Sequence, residues 1–233
     1  MPPTATPLLL LGAVALFEPV NGYQIRRELL SWQVDRWANV QPGSIYHALG
    51  KLADSGDLTR HDLPDGTRTV AVYEITDSGR ERLRELLAAA VVDVDVFDRR
   101  AFQAAFGLLS LVGDATAANL LDRRLAALII EAQRYAAEVA PPGSPYAPPH
   151  TRRGLDLWVR LAHAEIDWLT EVIAEVRMGH LSFSDQDNWA PPADDPGHQM
   201  AADRRRYRDL IDSARAAATA SATSDAIDTV TSK

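Results

Sequence analysis

A short amphipathic helix followed at once by a hairpin signal constrains this chain more than any other feature. In residues 41–56, Gln-Pro-Gly-Ser-Ile-Tyr-His-Ala-Leu-Gly-Lys-Leu-Ala-Asp-Ser-Gly, the apolar residues Ile45, Leu49 and Leu52 recur at i, i+4, i+7. That spacing lines one buried stripe of a helix. Pro42 suits a first helical turn and Gly56 suits the residue just past a helix end. Ser44, His47 and Lys51 share a different face, with Tyr46 beside them, so the helix offers water a hydroxyl, an imidazole, an ammonium and a phenol. Downstream lie two β-rich runs, Leu58 to Leu63 and Thr69 to Ile75, separated by Pro64-Asp65-Gly66. These predict a hairpin, with Gly66, Thr67 and Arg68 at its tip. Helix then two-stranded wing is the order of a winged helix-turn-helix, whose second helix enters the DNA major groove and whose wing reaches the neighbouring minor groove. A plain surface hairpin is the alternative reading of the second part.

The residues before this stretch supply the rest of such a module. Leu8 to Phe17 is a ten-residue apolar run. It resembles a signal-peptide core, but no basic stretch precedes it and Glu18-Pro19 follows where small residues should stand. It is also too short to span a bilayer, so a buried first helix is expected, with no membrane partner. Asn21 with Gln24 three residues on fits a capping box that opens a second helix, and Ile25, Leu29 and Trp32 line its core face. Trp32 and Trp37 flank the turn into the third helix. Thr76 caps a further helix reaching about Ala90.

Charge weighs against a nucleic-acid partner. The 233 residues carry a formal net charge of −8, whereas such proteins usually present a basic field. From Gln41 to Ile75 three cations, Lys51, Arg60 and Arg68, face five carboxylates, a net −2. Only Lys51 and Lys233 are lysines among 24 basic residues, a bias toward arginine. The competing function is therefore a winged-helix adaptor for other proteins with little DNA affinity.

Three segments in order, Gly22-Tyr23-Gln24-Ile25, the Gly-Ser-Ile-Tyr-x-x-Leu-x-x-Leu-x-x-x-Gly of residues 43–56, and Tyr73-Glu-Ile-Thr-Asp-Ser-Gly79, resemble the PadR family of bacterial transcriptional regulators. The resemblance covers roughly residues 8–88. Residues 98–178 also resemble that family's helical C-terminal half, through Phe102-x-x-x-Phe106-Gly-x-Leu-Ser-Leu111 and Glu165-x-x-Trp168-Leu169. It implies a cytoplasmic homodimer that binds a pseudo-palindromic double-stranded operator and represses neighbouring genes until a small molecule or another signal releases it. Carried over by position, it implies DNA contacts from Tyr23, Ser44, Tyr46, His47 and Lys51, with Thr67 and Arg68 in the wing. Gly50 stands where the family commonly has a basic residue, and the Thr-Val-Ala-Val of the second wing strand is apolar where relatives tend to carry Arg or Lys. Both departures imply a short phosphate footprint.

The expected fold class is mainly α with a small β-hairpin wing. The expected division is a winged helix-turn-helix over 1–92, a helical dimerisation and effector domain over 98–181, and a linker, short helix and disordered tail over 182–233. Val91 to Phe97 is expected as an extended connector and Asp98 as the cap of a helix bearing Phe102 and Phe106. Gly113-Asp114 restarts the chain into a helix to about Val139, striped by Leu121, Leu125, Leu128 and Tyr135. After a Pro-rich loop a helix of about 27 residues, ~40 Å long at 1.5 Å per residue, runs from Arg152 to Met178. Its stripe of Trp158, Leu161, Trp168, Leu169 and Val172 is more than one small domain needs, and predicts a symmetric partner. Glu165 lies inside that stripe. A buried carboxylate needs partners, either an arginine or tryptophan N–H from another helix, or a ligand in a pocket where Trp158 or Trp168 stacks on a flat aromatic effector. Tyr207, Leu210, Ile211 and Ala214 share one face of the last short helix, and Arg204, Arg205, Arg206 and Arg208 either touch DNA phosphate or form an ordinary charged face.

No enzyme is indicated, with no catalytic residue and no cofactor: GxSxG, HExxH, P-loop and dinucleotide patterns are absent from the sequence. No metal site is assigned either. His180 with Asp185 and Asp187 reads as an acidic linker, and the chain has no cysteine.

Overall fold

The computed structural model describes residues 5–139, 148–184 and 192–231, with side chains as far as residue 217. The described chain is mainly helical with one three-stranded antiparallel sheet, and it forms two compact units. One comprises Met1–Gly12 with Glu81–Ala190, the other Ala13–Arg80 with Pro191–Lys233. None of the described helices is long and apolar enough to cross a membrane.

The second unit is the winged helix. Its first helix, α1 (Ala5–Phe17), starts in the other unit and brings Ala13 and Val14 to this one, both fully buried. Between α1 and the next helix lies a two-residue strand, β1 (Val20–Asn21), which extends the sheet at one edge. Then follow α2 (Gly22–Ser31), the single turn α3 (Val34–Trp37) and α4 (Ser44–Asp54). The capping box at α2 is present as read: Asn21 Oδ1 accepts from Gln24 N at 2.9 Å, and Gln24 Oε1 accepts from Asn21 N at 3.1 Å. Ile25, Leu29, Ile45 and Leu49 are wholly buried and Leu52 nearly so, so the two predicted stripes face one core.

The wing is β2 (Leu58–Asp65) and β3 (Arg68–Ile75), joined by Gly66-Thr67, with strand order β1-β3-β2. Gly66 and Thr67 form the tip as expected, while β2 runs past Leu63 through Pro64 to Asp65 and β3 starts at Arg68. Pro64 can stand inside β2 because that strand is an edge, where a missing N–H costs no ladder bond. Gly66 has φ +63°, which glycine adopts without strain in a two-residue hairpin turn. Gly79 is required for a different reason. A Cβ there would sit 2.0 Å from the Asp57 carbonyl oxygen, so only glycine lets the start of α5 (Asp77–Val92) approach the strand entry. Thr76 caps that helix through Gly79 N, which donates to Thr76 Oγ1 at 3.0 Å.

The C-terminal segment departs most from expectation. Gly197–Thr231 is one helix, α9, where a short helix and disorder were expected. Its distal part is rich in alanine, the residue with the highest helix propensity. Tyr207 and Ile211, 1% and 2% exposed, pack with Leu63 and Val72 of the wing, with Val70 and Leu210 at the margin. The β2–β3 register pairs Leu63 with Val70 and His61 with Val72, so these residues share one face of the sheet. The other face, with Leu58, Tyr73 and Ile75, meets the helical core. The apolar wing strand is thus apolar because a helix covers its outer side.

The first unit is built on α6 (Arg100–Phe106), α7 (Asp114–Val139) and α8 (Pro149–Arg177). α5 continues to Val92, so Val91 is a buried helical residue and not part of an extended connector. Asp98 does not cap α6, which starts after Arg99. Its carboxylate instead accepts from Arg100 N at 3.0 Å and from the Arg100 guanidinium, which holds its pKa down at about 2. α7 and α8 pack as an antiparallel pair: Arg177 pairs with Asp122, while Tyr135 and Trp158 both meet the Phe97 ring. The Pro-rich connection between them and the acidic residues Asp185 and Asp187 fall outside the described residues. Among the described residues, no group of three or more His, Asp or Glu side chains could hold a metal ion.

Candidate nucleic-acid interface

α4 sets the interface by turning one face in and one face out. With Ile45, Leu49 and Leu52 committed to the core, Ser44, Tyr46, His47 and Lys51 are left exposed, Tyr46 by 48%. Gly43 stands at the N-cap and makes no side-chain capping bond. Ser44 Oγ donates to the Gln41 carbonyl at 2.8 Å, which ties the entry of α4 but leaves its first N–H groups without a side-chain cap. Lys51 lies in the last turn of α4, where a cation is favoured by the helix dipole.

Tyr46 stands against the start of α2, at the residue before Tyr23. A Cβ on Gly22 would come within 3.0 Å of the Tyr46 ring, so glycine there seats that ring against the α2 terminus. Tyr23, the next residue, is 62% exposed. Two phenols therefore stand at the margin of the α4 face. Gly50 lies on α4 with no atom within 4 Å of where its Cβ would be, so the position is open and a longer side chain would meet no obstruction.

At the wing, Thr67 and Arg68 are exposed at the hairpin end, opposite Asp65. Arg60 is tied to Asp62 at 2.8 Å, a bond that raises its pKa. Among the described residues, Lys51 and Arg68 have no ion-pair partner. Ser44, His47 and Lys51 are thus exposed on α4, Tyr46 stands against Gly22 next to the exposed Tyr23, and Thr67 and Arg68 lie at the end of the wing of the same unit.

Sequence reading missed what α9 adds here. Its Tyr207 Oη accepts from Asn21 Nδ2 at 2.9 Å, and Gln24 Nε2 donates to Asp203 Oδ2 at 2.9 Å. Both capping-box side chains thus donate to α9 through their amide nitrogens. Arg206 Nη1 donates to Asp65 Oδ1 at 2.9 Å, and Arg215 Nη2 donates to Glu74 Oε2 at 2.8 Å. Arg204 turns inward toward the Leu16 carbonyl, and burial lowers its pKa. The signal that could have revealed this was a pair of unmatched apolar stripes, Val70 with Val72 on the outer wing and Tyr207 with Ile211 on the helix.

In the other unit, the residues expected at an interface between copies divide into two sets. Glu165 accepts from Arg99 Nε at 2.8 Å and pairs with Arg124 Nη2 at 2.6 Å; Arg124 is 1% exposed. Burial pulls the Arg124 pKa down and the Glu165 charge opposes that pull. Leu169 and Val172 are also buried within the protomer. These three side chains point inward because the α7–α8 pair needs them for its own core. Leu161 and Trp168 remain 40% and 38% exposed, with Leu157 at 53%, while Trp158 packs edge-on against Phe97 at 5.1 Å. A cavity of about 460 Å³ opens beside the ion pair, lined by Arg99, Phe102, Phe106, Glu165 and Trp168. Arg99 Nη2 is buried there with no hydrogen-bond partner among the described residues.

Residues 10–85 match the Transcriptional regulator PadR-like family. The match spans α1 to α5 and includes the α4 face and the wing. Among solved structures, the chain is similar to Bacillus subtilis PadR in complex with operator DNA, at 21% identity over 73% of this chain and 98% of that one, TM-score 0.31. It is also similar to the PadR-like transcriptional regulator BC1756 from Bacillus cereus, at 18% identity over 75% and 97%, TM-score 0.33. Bacillus subtilis PadR in complex with p-coumaric acid matches at 19% identity over 74% and 96%, TM-score 0.29. No curated protein matches the chain significantly.

Proposed function

We propose that this chain is a homodimeric, sequence-specific DNA-binding repressor of neighbouring genes, released by a small molecule or another signal. The observation that carries the reading is the α4 face. A buried Ile45/Leu49/Leu52 stripe holds Ser44, Tyr46, His47 and Lys51 outward, directly before a wing, inside the region matched by the PadR-like model. Base-edge readout falls to Tyr46, His47 and Lys51, and backbone contact to Tyr23, Ser44, Thr67 and Arg68. Each half-site contact is small, so affinity depends on two linked copies binding together.

The dimer reading is supported by the exposed Leu157, Leu161 and Trp168 on α8, more apolar surface than an isolated helix pair leaves in water. The effector reading is supported by the aromatic walls of the cavity, Phe102, Phe106 and Trp168, which suit a flat ligand.

Footprinting on the promoters flanking the gene tests the function. A protected pseudo-palindrome with half-sites about one helical turn apart, ~34 Å, is expected. Lys51→Ala should weaken it without lowering the melting temperature, Tyr46→Ala should weaken it with a small drop in melting temperature because its ring packs at Gly22, and wild-type affinity in both would remove α4 as the reading element. Leu161→Arg should give monomers in sedimentation; an unchanged dimer would place the interface elsewhere.

A further inference from the structure

The winged helix of this protein is short of positive charge where it should meet phosphate. The hairpin end, Asp65 opposite Arg68, is neutral by itself. α9 changes that balance. Over residues 197–217 it carries five arginines, at 204, 205, 206, 208 and 215, against Asp203, Asp209 and Asp212, a net +2. That offsets the −2 of residues 41–75.

The geometry singles out Arg206. We propose that Arg206 is a DNA-phosphate contact at the wing tip, so that the C-terminal helix, which lies outside the region matched by the family model, completes the DNA-binding surface. This rests on the DNA-binding reading above. The Arg206 guanidinium is held by Asp65 at 2.9 Å and lies over the Tyr207 ring, 5.2 Å from its centroid. Tyr207 is itself fixed in the core beneath the wing. A long side chain anchored this way has already lost much of its rotamer freedom before DNA arrives. Its Nη2 is 3.9 Å from Asp203, beyond hydrogen-bond range, and the side chain is still 45% exposed. A planar fork with five donors that gives one to Asp65 has others left for a phosphate.

Its neighbours on α9 are placed differently. Arg204 turns to the Leu16 carbonyl, Arg208 to the Glu18 carbonyl, and Arg215 to Glu74 at the far end of β3. Arg206 alone among these four stands beside the hairpin end. It also neutralises Asp65, the carboxylate that would most directly repel a phosphate there.

The test is operator affinity against salt concentration for the full chain, its Arg206→Ala and Arg206→Lys variants, and the Asp65→Ala/Arg206→Ala double variant. Arg206→Ala should weaken binding about tenfold and flatten the log–log salt slope by about one per bound protomer. Arg206→Lys should keep the slope. The double variant should recover the part of the affinity lost to Asp65 repulsion, but not the slope. Thermal melts and near-ultraviolet circular dichroism check that the wing core around Tyr207 is intact; if Arg206→Ala perturbs it, Arg206→Gln, which keeps a polar side chain there, is read in its place. An unchanged slope in Arg206→Ala, or full recovery of affinity and slope in the double variant, overturns the phosphate contact while leaving the function standing. Failure of the wild-type chain to bind any flanking promoter would defeat the proposed function, and this contact with it.

Discussion

Replacing Tyr207 tests whether the C-terminal helix belongs energetically to the winged helix. Tyr207 is 1% exposed, its ring packs on Leu63 and Val72, and its hydroxyl accepts from Asn21 Nδ2. Truncating a buried aromatic to alanine costs about 3–5 kcal/mol. Losing the acceptor leaves part of the buried Asn21 amide unpaired, a further ~1–3 kcal/mol. Water entering the vacated space satisfies some of that amide, so a total near 4 kcal/mol is expected for Tyr207→Ala. Tyr207→Phe keeps the packing and isolates the hydrogen bond, at about 1–2 kcal/mol. The assay is amide hydrogen exchange read by mass spectrometry on peptides covering residues 58–75 and 197–217. Local opening free energy sets the exchange rate, and each ~1.4 kcal/mol is tenfold. Tyr207→Ala should therefore speed exchange in both peptides by roughly a thousandfold, and Tyr207→Phe by about tenfold. Wild-type protection of the wing peptide in Tyr207→Ala would refute the coupling, even if the α9 peptide alone became labile.

Four further outcomes follow from the same geometry. Gly50→Lys should raise operator affinity and steepen the salt slope by about one, while adding roughly 0.5 kcal/mol of helix stability, because nothing lies near the added Cβ; a loss of stability on denaturant titration would contradict the open position. Glu165→Ala strands the buried Arg124 charge and should cost about 3–5 kcal/mol, with Glu165→Gln costing less because one acceptor remains; a wild-type melt for the alanine variant would remove the pair as a determinant of the α7–α8 unit. Gly79→Ala forces a Cβ into the Asp57 carbonyl and should cost ~3 kcal/mol or more, seen as a large drop in melting temperature, whereas a neutral result would mean the strand entry yields freely. The Asp98 carboxyl, held at about 2 by hydrogen bonds from Arg100, stabilises the fold above its unfolded value near 3.9 and loses that contribution as pH falls from about 4 through 2. After solvent screening the effect is under ~1 kcal/mol, so the gap between wild type and Asp98→Asn should close across that window, and a pH-independent gap would reject the linkage.

The local rules made most of the winged helix legible. A 3.6-residue period put Ile45, Leu49 and Leu52 inside and so forced Tyr46, His47 and Lys51 outside, because a helix has only one buried face. The Asn21/Gln24 cap, the two β-rich runs and the glycine of the turn are each decided within a few residues, and each stands where local chemistry put it. β2 runs on through Pro64 to Asp65 because it is an edge strand, a fact of sheet order and not of local sequence. Glu165 announced that it needed partners, but Arg124, 41 positions away, and Arg99 were chosen only when α6, α7 and α8 came together. Leu169 and Val172 looked like interface residues until packing against α7 used them up, since an apolar stripe does not say which of several surfaces will cover it. α9 is the clearest case. Residues 204–211 and the outer wing each carried an unmatched apolar face, more than 130 residues apart, and nothing short-ranged joins them. The sequence by itself determined that those two faces had to be buried somewhere. Only the packed chain makes them bury each other, because Tyr207 can fill the space over Val72 and accept from Asn21 Nδ2 in the same placement.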